Sequence, residues 1–116
     1  MVKSTNDADG FLVLDRNDLA DSELQGIQSG TGVSLIFVDL PPGEGPRLHR
    51  HPYEEIFIIL EGVPTFRVAD TQIDARPGQI IVVRANVPHA FKNAGDGRLR
   101  QIDIHLSPSF HTEWLE

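Results

Sequence analysis

His49 and His51 stand two residues apart in a stretch, 48–51, that reads as a short β-strand. Side chains at i and i+2 of a strand share a face, so one strand can turn both imidazoles toward a single ion. Glu55 follows past Pro52 and Tyr53, at the start of the next apolar run, where a carboxylate can point back to the same place. His89 opens a late run just after Pro88. Three imidazoles and one carboxylate form a mixed nitrogen and oxygen set. It suits one divalent transition metal (Fe, Mn, Ni, Co, Zn or Cu) and leaves positions open for water or substrate. The sequence has no cysteine, so disulfides and thiolate ligation are excluded. Taken singly, each residue also has an ordinary reading. A strand histidine is commonly satisfied or solvent-facing, and a glutamate at a strand start is commonly a solvated charge.

The elements that must position these groups are short. Eight prolines and ten glycines are spread over 116 residues and punctuate brief apolar runs, a habit of all-β domains. Strands are expected at 11–15, 33–40, 48–51, 55–60, 65–69, 71–75, 79–83, 89–93 and 99–106. Pro41, Pro42 and Gly43 stop one of them, because proline cannot donate to a ladder. Residues 17–30 are polar and read as a loop with a helical turn. Pro64 falls where a strand is expected, which an edge position or a bulge would explain. Ser107, Pro108 and Ser109 are expected to open a short C-terminal helix capped by Ser109 and carrying Phe110, Trp114 and Leu115. About nine short strands without a strong interior helix indicate a sandwich or barrel.

Taken together, the spacing of the ligand set is specific, and it resembles the cupin superfamily, in particular its small single-domain members. The first cupin motif, G-x5-H-x-H-x3-E-x6-G, is filled at Gly43, His49, His51, Glu55 and Gly62. The second, G-x5-P-x-G-x2-H-x3-N, is matched at Gly78, His89 and Asn93. It departs at Arg84, where proline is usual, and at Asn86, where glycine is usual. Asparagine tolerates a left-handed turn, so that turn can survive. The resemblance implies an all-β fold, the double-stranded β-helix or jelly-roll barrel. It implies one domain over 1–116, with the motifs at 43–62 and 78–93. It also implies His49, His51, Glu55 and His89 as metal ligands, with Asn93 in a structural role. For activity it implies a metal-dependent enzyme acting on a small organic molecule, oxygenase chemistry being favoured. Isomerase, lyase or decarboxylase chemistry and a non-catalytic metal and ligand module are the alternatives. Glu55 would then also be a candidate proton carrier.

Strand parity extends the map. Arg47 shares a face with His49 and His51 and suits a substrate anion, unless it extends to the rim. Phe57 and Phe91 would wall a pocket or simply pack the core, and His105 would line that pocket or support a ligand. Gln101, Asp103 and His105 alternate with Ile102, Ile104 and Leu106, and either set can face inward. An outward apolar set would suit a second subunit, and a homodimer is what the resemblance implies. His111 reads as a surface residue. Net charge is −7 with no cluster of Lys or Arg, which disfavours nucleic acid and anionic membranes. Residues 1–10 are polar and no apolar run spans a bilayer, so a cytoplasmic location is expected.

Overall fold

The computed structural model describes residues 9–116, so the N-terminal stretch read above lies almost wholly outside them. Among the described residues, ten short strands form two five-stranded antiparallel sheets. In chain order they are β1 (Glu23–Leu24), β2 (Ser34–Leu40), β3 (His49–Arg50), β4 (Glu55–Glu61), β5 (Pro64–Val68), β6 (Thr71–Asp74), β7 (Ile80–Val83), β8 (His89–Asn93), β9 (Leu99–His105) and β10 (Glu113–Trp114). One sheet has the order β1-β2-β9-β4-β7 and the other β10-β3-β8-β5-β6. A single turn of helix, α1 (Gly26–Ser29), is the α-helix among the described residues. It ends at Gly30 in the left-handed conformation. No helix among these residues is long and apolar enough to cross a membrane.

The sheets face each other across one apolar cluster. Val38, Phe57, Ile59, Val83 and Leu99 come from the first sheet, Phe66 and Phe91 from the second. Phe57, Phe66 and Phe91 meet at centroid distances of 5.0, 6.0 and 5.2 Å, mostly edge to face. This is the expected all-β barrel. Gly62 turns the chain from β4 into β5 with φ +93°. A Cβ there would lie 2.6 Å from the Arg98 carbonyl, so both the turn and the close approach require glycine. Pro64 is tolerated as the first residue of β5, where its carbonyl accepts from Ala75 N–H.

Two expected elements are corrected. Residues 11–15 form no strand: Phe11 and Val13 are exposed, so that run has no sheet face to bury. The C-terminal helix is also absent. Ser107 Oγ accepts from Ser109 N–H and donates to the Ser109 carbonyl, closing a local turn that competes with helix initiation. The chain then runs extended as β10 along the edge of β3, and Leu115 N–H reaches the Leu48 carbonyl. Arg50 grips Glu113 through two 3.0 Å hydrogen bonds across this pair.

Candidate metal centre

The register of both sheets brings the four motif residues together. His49 on β3 is directly opposite His89 on β8. Glu55 begins β4 opposite His105 on β9. His51 follows β3, and its carbonyl accepts from Asn86 N–H. Asn86 holds φ +66°, so the departure from glycine keeps the left-handed turn that leads into β8. Arg84 is exposed and paired with Glu54. Asn93 ties the far end of β8 by donating to the Leu40 and Gly97 carbonyls, which makes its role structural.

His49, His51, Glu55 and His89 are all buried, and one possible ligand atom from each lies within 4.8 Å of the others. Every imidazole of this set has Nδ1 on a backbone carbonyl. His49 binds Arg47 O at 2.6 Å, His51 binds His111 O at 2.8 Å, and His89 binds Val87 O at 2.9 Å. A carbonyl only accepts, so Nδ1 carries the hydrogen and Nε2 keeps the lone pair. This is the outer-shell arrangement that orients metal-binding histidines. Glu55 Oε1 lies 3.1 Å from His89 Nε2 and 3.2 Å from His51 Nε2. Acceptors this close repel one another unless a cation sits among them. The His51 Nε2 contact lacks hydrogen-bonding geometry, and that buried nitrogen has no partner. Burial holds the His49 imidazole down at about 4, against the opposing pull of the Arg47 carbonyl, so it stays an uncharged ligand. Burial alone would raise Glu55. The hydrogen bond from His105 leads the contacts that outweigh it, and the carboxyl falls below its usual range. The donor set therefore fits one divalent transition metal.

His105 supports this set. Its Nε2 lies 3.0 Å from Glu55 Oε2, and its Nδ1 is 2.6 Å from the Tyr53 hydroxyl. Tyr53 in turn accepts from His111 N–H and stacks on His51 at 5.0 Å. Burial pushes the Tyr53 phenol up to about 12, so it keeps its hydrogen and gives it to His105. His105 Nε2–H then fixes one oxygen of Glu55 and leaves Oε1 for the metal.

A cavity of about 560 Å³ opens on the centre, lined by His49, His51 and Glu55 together with Phe91, Asp103 and His105. Of the expected pocket residues, Phe91 and His105 are therefore in its wall. Phe57 packs beneath, fully buried and edge-on to His89. Arg47 does not line it. Its exposed guanidinium lies over the Trp114 ring at 5.0 Å, because β10 occupies the edge it would otherwise cross. Tyr53 and Trp114 were not expected at the site, and Asp103 takes the inward alternative that strand parity left open. The polar set of β9 faces inward, and Ile102, Ile104 and Leu106 face outward.

Comparisons with known proteins agree with this fold. The family model described as "Cupin domain" matches residues 36–105. The uncharacterized protein MJ1618 of Methanocaldococcus jannaschii is 31% identical over 93 residues, covering 78% of this chain and 74% of that protein. Protein SchB of Streptomyces halstedii is 35% identical over 68 residues, 58% of this chain and 49% of its own length. The HTH-type transcriptional regulator PuuR of Escherichia coli is 27% identical over 109 residues, 85% of this chain and 58% of its own length. The chain thus spans about half the length of the latter two. Among solved structures, oxalate decarboxylase of Lactobacillus farciminis superposes with TM-score 0.73 at 21% identity, over 80% of this chain and 30% of that one. An oxalate oxidase in complex with glycolate gives TM-score 0.70 at 21% identity, over 80% and 53%. At such identity the likeness is one of fold.

Proposed function

Given that this chain belongs to the cupin domain family, we propose that it is a metal-binding cupin acting on a small organic molecule. His49, His51, Glu55 and His89 would hold one divalent transition metal, with the molecule in the cavity above. The observation that carries this reading is the set of inward lone pairs. Three Nε2 atoms and Glu55 Oε1 converge while every Nδ1 is held by a carbonyl. A bound metal would supply Lewis acidity and, if redox-active, electron transfer to O2. The chain's own residues would do the rest. Phe91 and its apolar neighbours would exclude water, and Glu55 Oε1 would complete the ligand set. With these hydrogens in place, Glu55 Oε2 would receive a proton from His105 Nε2–H, which the Tyr53 hydroxyl would resupply at Nδ1. We favour oxygenase chemistry.

The test is elemental analysis of the purified chain, followed by O2 uptake with Fe(II), Mn(II) or Ni(II) against phenols, flavonols, diketones and small acids. About one metal per chain and turnover on one class is expected. Absence of metal after reconstitution contradicts the reading. Stoichiometric metal without turnover identifies a non-catalytic module.

We further infer a homodimer. Ile56, Ile58 and Leu60 of β4, Ile80 and Val82 of β7, and Ile102 and Ile104 of β9 form cross-strand rows on the outer face of the first sheet. A contiguous apolar face of this kind suits a second copy, and light scattering should give twice the chain mass.

A further inference from the structure

The walls of the cavity above the metal centre discriminate between classes of small molecule. Ile36, Val38, Phe91, Phe110 and Trp114 give it an apolar body. Its charged lining beyond Glu55 is acidic: Asp21, Glu23 and Asp39. Among the described residues, no lysine or arginine lines it. Basic groups close to its lining residues are already engaged. Arg47 lies over Trp114, Arg16 lies over Phe37 at 4.7 Å, and Arg98 binds Asp39 at 2.8 Å.

We propose that this cavity takes an uncharged, largely apolar molecule bearing a hydroxyl or carbonyl oxygen, and that it discriminates against small dicarboxylates. The inference rests on the metal-centre reading, which makes this cavity the substrate side. A desolvated carboxylate needs charged or multiple donors, most effectively a guanidinium. An oxalate dianion here would meet the metal alone, with the Glu55 charge and acidic walls around it. The fold-level likeness to oxalate enzymes therefore does not carry their substrate over to this cavity. Asp103 supplies what an uncharged oxygen needs. It is buried at 3% exposure and faces the cavity. Burial, reinforced by the Glu55 charge, raises its pKa well above the ordinary carboxyl value, which favours the protonated form. Gln101 Nε2 donates to Asp103 Oδ1 at 2.8 Å, which leaves Oδ2 to carry that hydrogen. A neutral carboxylic acid in an apolar wall donates to a carbonyl or phenol oxygen without adding charge.

Trp114 is the sole tryptophan, and it lines the cavity 5.0 Å from His49, so its fluorescence reports occupancy. The experiment titrates the full chain, loaded with Mn(II) and counted by elemental analysis, with 4-methylphenol and separately with oxalate. Calorimetry is run in parallel, and metal retention is checked after each titration. Binding of 4-methylphenol at least tenfold tighter than oxalate is expected. Asp103→Asn, which keeps a neutral donor, should hold that affinity within about twofold, and Asp103→Leu should weaken it about tenfold with metal content unchanged. Oxalate binding as tight as or tighter than 4-methylphenol, or binding of neither, overturns the proposal while leaving the metal centre intact. Failure to take up metal contradicts the proposed function instead, and the same titrations on the metal-free chain then decide the cavity's preference.

Discussion

Inward residues along β4 run Glu55, Phe57, Ile59, and those along β8 run His89, Phe91, Asn93. Opposite β4, β9 presents His105, Asp103 and Gln101 in register. The same strands therefore supply a polar end and an apolar end of one interior. At the apolar end, Phe66, Ile59 and Leu99 are fully buried among hydrocarbon. At the other, His51 Nε2 is buried without a partner, and burial raises the Asp103 carboxyl well above its ordinary value. One end satisfies the ordinary rules of a core except at Gln101, opposite Ile59, whose buried Oε1 has no partner. The other breaks them in the pattern expected where a metal and a ligand complete the structure.

Substitutions at the two ends should separate these roles. The largest loss of stability is expected from Phe66→Ala, about 3–5 kcal/mol for truncating a buried aromatic side chain. Urea denaturation measures it, and metal content of the folded fraction should stay at the native value. A loss below about 1 kcal/mol would mean that the apolar end is not the main core. Next, saturating metal should stabilise the native chain by about 3 kcal/mol at 100 times the dissociation constant. His51→Ala should abolish that increment and leave the metal-free melting temperature close to native. Removing His105, which grips Glu55 rather than the metal, should weaken metal binding by about 10- to 100-fold. Competition with a chelator reads this, and native affinity in His105→Ala would remove the supporting role.

The smallest effect is a pH-dependent gain at Asp103. Its carboxyl is raised in the folded chain above the ordinary 3.8. The neutral form thus favours the fold fully below that value, and this stability is lost as pH rises toward the folded pKa. Asp103→Asn should therefore raise the melting temperature at neutral pH, with the gain vanishing below about pH 3.8. A gain independent of pH would show that Asp103 is not protonated in the fold.

Most of the polar end was legible, because ligand spacing is a local property. His49, His51 and Glu55 sit within seven residues, and the left-handed turn at Asn86 follows from the residue type. His105 was readable as a pocket or supporting residue, but which face of β9 carries Asp103 was not legible. Alternation in β9 is inverted, with polar residues inside and apolar residues outside, so parity alone could not assign a face. Tyr53 was invisible for a related reason: its partner His105 is 52 residues away. The C-terminus misled through a local signal. Ser107, Pro108 and Ser109 resemble a helix start, but pairing with β3 is nonlocal and prevails. At the apolar end the strands were placed within a residue or two, since buried aromatic and branched residues mark them directly.

The central claim is that the side chain of His51 is a ligand, while His111 contributes only its carbonyl, which accepts from His51 Nδ1. The most direct test is metal per chain after reconstitution with Mn(II) or Fe(II) and gel filtration, compared across the native chain, His51→Ala and His111→Ala. The account predicts about one metal for the native chain and for His111→Ala, and close to none for His51→Ala. Equal retention in both variants, or no metal in any of the three, would contradict it.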